Sequence, residues 1–185
     1  MALAREASTG DSLATGRLLR LLAPRMGTVI RAILGPNHPD CDDALQVALI
    51  GLVQALPAFR AEAEPAGYAA TIAVRAAIAA RKRARKRETW HAQADDEAYE
   101  AVSSADAVEA GLRSELLRDL LIALPAEQGE TLAMRVVLGW SLEEIAAHTR
   151  APFNTVRSRL RLAKEAMKRR IEADPALREA LGVVS

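Results

Sequence analysis

The sequence predicts an all-α chain built as two small helical domains, and three observations carry that expectation. Hydrophobic residues make up 50% of the 185, but alanine supplies many of them and aromatics are only 3%. Such a composition, poor in aromatic and β-branched side chains, favours helices over sheets. Apolar positions recur at steps of three and four along much of the chain, the period of a half-buried helix. The charges nearly cancel, at +1, but they are segregated. Residues 81–87, RKRARKR, hold six bases; residues 88–115 hold eight acids against Arg113 alone; residues 150–170 hold eight bases against Glu165 alone. Two basic blocks held apart by an acidic spacer place one domain on either side of it.

In chain order, Leu18, Leu19, Leu21, Leu22, Val29, Ile30 and Leu34 predict one or two helices between Ser12 and Leu34, stopped by the turn residues of GPNHPD. Asp40 is the expected N-cap of the next helix, with Asp42 and Asp43 in a first turn where the helix dipole favours negative charge. Its apolar face is expected to be Leu45, Leu49, Leu52, Val53 and Leu56, with Pro57 closing it. A third helix is expected from near Gly67 through Tyr68, Ile72, Ala76 and Ala79 into the basic run. These elements make an N-terminal domain of residues 1–87. Residues 88–114, acidic and without a sustained apolar stripe, read as a flexible or weakly helical linker. Order resumes at Leu117, Leu120, Leu121 and Leu124, and LPAEQGE turns into a helix carrying Leu132, Val136 and Val137 that ends at Gly139. The second domain spans 115–175, with a tail over 176–185.

The stretch SLEEIAAHTRAPFNTVRSRLRLAKEAMKRR carries the sharpest local signals. Ser141 and Glu144 have the S-x-x-E spacing of a capping box, in which hydroxyl and carboxylate each satisfy a free amide at the helix start. Pro152 disfavours helical geometry at Ala151 and so breaks the first helix; Asn154 is the expected N-cap of the second. There Val156, Leu160, Ala163, Met167 and Ile171 form a narrow inward stripe, while Arg157, Arg161, Lys164 and Lys168 share a flank of about 60°. Such a rail suits one phosphate backbone. Asn154, Thr155 and Ser158 lie in the first turns, where a recognition helix meets base edges in the major groove. Basic helix faces are ordinarily just solvated; the tight turn, the caps and the short-then-long helix order favour DNA.

Other classes find no support. The lone Cys41 allows no internal disulfide, which suits a reducing compartment. The first residues lack a basic start followed by an apolar core, and no run of about 18 apolar residues is free of charge. A cytoplasmic protein without a membrane span is expected. His38, Asp40, Cys41 and Asp42 do not make a defined tetrahedral set. No phosphate-loop or dinucleotide fingerprint is present, so no cofactor, metal, small-molecule substrate or catalytic activity is expected. Trp140, at a helix junction, reads as a packing residue, and Trp90 lies beside the basic run. RKRARKR itself reads as a solvated helix end, a nonspecific phosphate patch or a promoter-contacting helix end.

With these motifs in place the chain resembles the extracytoplasmic-function sigma factors, small two-domain initiation factors of bacterial RNA polymerase. The C-terminal resemblance runs from LLRDLLIALPAEQ to EAMKRRI and includes the leucine-proline turn, S-x-E-E-I-A and P-x-x-T-V-R-S-R-L. It implies a −35-reading domain, with Asn154, Thr155, Arg157, Ser158, Arg159, Arg161 and Lys164 on the DNA. DCDDALQVALIGLVQALPAFR resembles the family's polymerase-clamp helix through Asp40, Asp43, Gln46, Leu56, Pro57, Phe59 and Arg60, and Leu49 belongs to the implied contact. EAEPAGYAATIAVRAAIAARKRARKR resembles the helix that recognises and melts the −10 element, through Glu62, Tyr68, Ile72, Ala73, Ala77 and Ile78. That likeness implies DNA contacts from Tyr68, Arg75, Arg81, Lys82, Arg83 and Arg85. Core RNA polymerase and promoter DNA are the implied partners. An anti-sigma factor is a further partner class that the sequence leaves open.

The chain departs from the family pattern at specific places. Val47 stands where an acid is usual and Val53 where a tryptophan is common; Ala70, Arg75 and Ala79 replace positions that often carry aromatic, Asn and Asp residues. Unstacking bases costs a few kcal/mol, offset elsewhere by aromatic stacking, and Tyr68 is the one ring left on this helix. A sigma-like regulator that binds promoters without opening them is therefore the second reading. Arg150 replaces a common glycine in the turn, at a cost of about 1 kcal/mol if positive φ is needed there.

Overall fold

A computed structural model describes residues 1–59, 64–92 and 105–183. Within them the chain is helical: α1 (Ala2–Ser8), α2 (Ser12–Leu34), α3 (Cys41–Ala55), α4 (Pro65–Ala92), α5 (Ala105–Ile122), α6 (Ala126–Val137), α7 (Leu142–Thr149), α8 (Phe153–Ala173) and α9 (Pro175–Ala180), with a 3₁₀ turn over Leu56–Ala58. No strand occurs among the described residues. Arg60, Glu62 and the middle of the expected linker, residues 93–104, lie outside them.

The N-terminal half is a bundle in which α2 packs along α4, α3 closes the side, and α1 caps one end. Its close packing comes from alanines. On α4, Ala69, Ala73, Ala77, Ala80 and Ala84 are all buried, spaced four, four, three and four, so backbones approach where larger side chains would hold them apart. This stripe differs from the expected one: Tyr68, Ile72 and Ala76 flank it half-buried, and Ala79 is exposed. On α3 the buried face is Ala44, Ala48 and Leu52, continued by Leu56, while Val53 points outward at 41% exposure. The small alanine face nests against α4, which turns Val53 to the other side.

Three local features bear on the sequence reading, and at Asp40 the structure departs from it. Ser12–Leu34 is one helix despite Pro24, an exposed residue whose missing N–H leaves one carbonyl to water. Asp11 caps it, accepting from the Leu13 and Ala14 amides at 2.8 and 3.0 Å. Asp40 stands at the start of α3 but makes no capping bond; its carboxylate is drawn instead to the Arg87 guanidinium at the far end of α4. The segment expected as linker is helical at both margins, since α4 runs on to Ala92 and α5 begins at Ala105.

The window Cys41–Ala58 is apolar enough by length and composition to cross a membrane, at a mean hydropathy of 1.2. The α-helix inside it has 15 residues, about 22 Å of rise, against a hydrocarbon core of about 30 Å. Asp42 and Asp43 sit in its first turn, and its alanine face belongs to the bundle core.

The C-terminal helices do not stand apart from this bundle. One continuous core joins Met26, Ile30, Ile33 and Val74 of the N-terminal half to Met134, Ile145 and Val156 of the C-terminal half. A smaller core of Leu124, Leu132, Leu160 and Ala163 seats α8 on α6.

Candidate nucleic-acid interface

Three short elements build the C-terminal site. Ser141 starts α7 with both halves of the capping box formed: the Glu144 amide donates to Ser141 Oγ at 3.1 Å and the Ser141 amide to the Glu144 carboxylate at 2.7 Å. The helix ends at Arg150, which adopts the left-handed conformation at φ 54°, ψ 33°, the one described non-glycine residue with positive φ. Pro152 then starts α8. Its carbonyl accepts from the Thr155 and Val156 amides at 2.9 and 3.1 Å, so Asn154, expected as the cap, lies inside the first turn and is exposed. Proline's fixed φ sets the entry angle, and no side chain caps this helix start.

Val156, Leu160 and Ala163 of α8 are buried, and Met167 and Ile171 half-buried, as the stripe predicts. On the outer side Asn154, Arg157, Ser158, Arg161, Lys164 and Lys168 are exposed. Arg161 is bridged to Glu165 at 2.7 Å and Lys168 to Glu172 at 3.6 Å, both on the surface, where such pairs are weak and a competing phosphate exchanges them readily. Arg159 is different. Its guanidinium bridges to Glu127 of α6 at 2.6 Å with the side chain 21% exposed, so it braces the fold rather than facing outward. Its phase gives the reason: it lies three residues after Val156 and four before Ala163, on the margin of the buried stripe.

The basic end of α4 divides in the same way. Lys82, Arg83 and Arg85 are exposed. Arg81 is buried at 5%, donating to the Leu34 carbonyl at 3.3 Å, Glu115 at 2.5 Å and Asp119 at 2.8 Å. Burial alone pulls its pKa down; the bonds to Asp119 and Glu115 outweigh that and leave it raised. Expected on the DNA side, it is turned instead into the seam between the halves. Arg75 remains outward but bridges to Glu130 of α6 at 2.9 Å. An open groove of about 400 Å³ runs between Arg75, Glu130, Arg150 and Thr155, so α4 and the start of α8 border one space.

Tyr68 is half-buried and packs its ring against Phe59, centroids 5.5 Å apart. Residues proposed for two different contacts are thereby brought together. On α3, Asp43 and Gln46 are exposed and Leu49 half-buried. The same side carries Val47 and Ile50, each 50% exposed, and Val53. Sequence reasoning treated Val47 only as a departure and placed Val53 on the buried apolar face. Their shared phase with Asp43, Gln46 and Ile50, at steps of three and four, marks a second face opposite the alanines.

Trp140, read as a packing residue, is stacked on His148 with ring centroids 4.4 Å apart. The His148 ring presses on α4 at Gly67, where a Cβ would meet it at 2.1 Å. Burial lowers its pKa, against the opposing pull of Glu144 and Glu64.

Comparison with known proteins follows this division of the chain. Residues 18–87 match the family model for sigma-70 region 2, and residues 114–167 that for sigma-70 region 4. The ECF RNA polymerase sigma factor SigD of Mycobacterium bovis and of Mycobacterium tuberculosis is 33% identical over 190 residues, covering 93% of this chain and 84% of the relative. The chain belongs to the ECF sigma factors. Solved structures with the same fold include CnrH in complex with the cytosolic domain of CnrY, at TM-score 0.55 and 19% identity over 94% of this chain and 97% of that one. Another is the sigma factor RpoE in complex with the anti-sigma factor NepR from Bartonella quintana, at TM-score 0.50 and 20% identity over 92% and 98%. In this ECF sigma factor, region 2 thus runs from most of α2 to most of α4, and region 4 from the second half of α5 to most of α8. Neither family model covers the acidic stretch between them.

Proposed function

We propose that this sigma factor directs core RNA polymerase to promoters in the cytoplasm, reading a −35 element with α8 and a −10 element with α4. The observation that carries the reading is the outer side of α8, where Asn154, Arg157 and Ser158 are exposed on a helix that starts at Pro152, just after the box-capped α7. A helix so mounted fits the major groove, with side chains of its first turns at base edges and Arg161, Lys164 and Lys168 along the phosphates. Thr155, half-buried at the start of α8, is the fourth contact at the groove floor. Arg159 is not among them, because Glu127 holds it.

On the N-terminal side, Asp43, Gln46, Leu49 and the exposed Val47, Ile50 and Val53 make an amphipathic surface suited to the polymerase clamp. Phe59 contributes at its end, packed on Tyr68. Asp40 contributes only when released by Arg87. Lys82, Arg83 and Arg85 with Tyr68 and Arg75 are the −10 contacts. An anti-sigma factor is a natural further partner for a chain with this fold.

Transcription from a promoter library with purified core polymerase tests the proposal. Initiation at a defined motif is the expected result. A duplex that is bound but never opened supports instead a regulator without melting activity, a reading favoured by the alanines at positions 70 and 79 of α4. Indifference to both duplex and polymerase at low ionic strength rejects the assignment.

A further inference from the structure

A cleft of about 480 Å³ opens between the basic end of α4, the end of α5 and the junction of α8 with α9. That volume is ordinary for a small-molecule site. Lys82, Arg85 and Lys86 border it from α4, and Arg170 borders it from the end of α8. Its two acids are already engaged. Asp119 accepts from Arg81 at 2.8 Å and lies 3.6 Å from Arg85, and Asp174 caps α9 by accepting the Leu177 amide at 3.1 Å. Lys82, Lys86 and Arg170 form no ion pair with any described residue.

Unpaired like charges around one cleft are a standing cost to the fold. Lys82 and Lys86, four apart on a helix, repel each other, and Arg170 adds a third cation to the same space. A concave site lined by one sign of charge focuses its field and concentrates the opposite ion there. The cleft therefore calls for an anion, and the rest of its lining narrows which one. Leu120 is 4% exposed and Leu177 half-buried, so part of the lining is apolar. Ile122 brings in the end of α5, where the last carbonyls have no partner within the helix and accept from hydroxyl and amino groups. Inorganic phosphate uses the cations alone. A molecule with several phosphates at one end, and a sugar with a flat ring at the other, uses the cations, the carbonyls and the apolar lining together.

We infer that this cleft is a binding site for a nucleoside polyphosphate, with the phosphates on Lys82, Lys86 and Arg170, the sugar toward the end of α5 and the base against Leu120 and Leu177. The site goes beyond the promoter-reading proposal. Arg170, Leu120 and Leu177 have no part in the proposed DNA contacts, so nucleotide binding stands or falls without them.

The test is isothermal titration calorimetry on the full chain with ATP, GTP, tripolyphosphate and inorganic phosphate, free of divalent cations. One of the nucleotides should bind one to one, and tripolyphosphate and phosphate more weakly. Lys82→Ala with Lys86→Ala, and separately Arg170→Ala, should each weaken the nucleotide by about tenfold or more, the loss expected for charge-assisted contacts. Leu177→Ser should lower nucleotide affinity toward that of tripolyphosphate. Arg17→Ala with Arg20→Ala removes two exposed charges from α2, away from the cleft, and should leave binding at the wild-type value. The three cations are exposed, so their variants should fold, as circular dichroism will check. If α9 unravels in Leu177→Ser, the comparison of nucleotide with tripolyphosphate on the wild-type chain decides alone. No saturable binding of either nucleotide overturns the site, as does an equal loss in the α2 control. Tripolyphosphate that binds as tightly as both nucleotides overturns the assignment to a nucleoside.

Discussion

Glu127 of α6 and Arg159 of α8 are joined at 2.6 Å, a bridge that takes one base of α8 out of the set proposed to face DNA. Arg157, two positions earlier, is exposed. Their substitutions should therefore diverge. Arg157→Ala is expected to weaken −35 binding by about 1–3 kcal/mol if it pairs with a guanine. Arg159→Ala should change duplex affinity far less and lower domain stability by under about 1 kcal/mol, the range for a partly exposed pair. Duplex titrations beside urea melts separate the two, and equal losses of affinity would return Arg159 to the readout.

Arg150 bears a strained backbone. A non-glycine residue in the left-handed region costs about 1–2 kcal/mol, of which glycine, with its own entropic penalty, recovers a part. Arg150→Gly should thus stabilise the chain by about 0.5–1 kcal/mol, read from the urea midpoint at unchanged m-value. A lower midpoint would mean that the arginine side chain matters more to the turn than its backbone does.

The capping box is the local anchor of α7. Ser141→Ala removes the acceptor for the Glu144 amide and should cost about 1 kcal/mol. Glu144→Ala removes the reciprocal bond to the Ser141 amide. Because the two bonds form one unit, the double variant should lose less than the sum of the singles, as a double-mutant cycle will measure.

What the sequence disclosed and what it hid follow from range. The capping box, the Pro152 break and the inward stripe of α8 depend on neighbours within one turn or two, and they stand as read. The strain at Arg150 was likewise visible in the turn. Arg81 was hidden because RKRARKR presents six bases with no mark on the one that turns inward; its partners lie 34 and 38 positions on. Phase held the missing signal: Arg81 follows Ala77 by four and precedes Ala84 by three, which puts it on the alanine stripe. The same lesson applies to α3, where two interleaved faces of small and branched residues look alike until α4 selects the alanines.

His148 gives the fold a pH dependence. Its folded pKa lies below the ordinary 6.5 because the ring is buried, so between those values the unfolded chain takes up a proton that the folded chain refuses. Stability from this residue is complete above about pH 6.5 and is lost as pH falls through that value toward the folded pKa. Glu144 on α7 and Glu64 ahead of α4 pull the other way, and Arg25 of α2 borders the same cavity. The urea midpoint should therefore drop between pH 7.5 and pH 5, and His148→Gln should flatten that part of the profile. An unchanged profile would assign the drop to other groups.

Helix α4 runs unbroken for 28 residues, about 42 Å, and is fastened near its start by His148, midway by Glu130, and further on by Asp119 and Asp40. A stiff bar pinned along its length does not peel; twisting it at the exposed Trp90 end strains every fastening together.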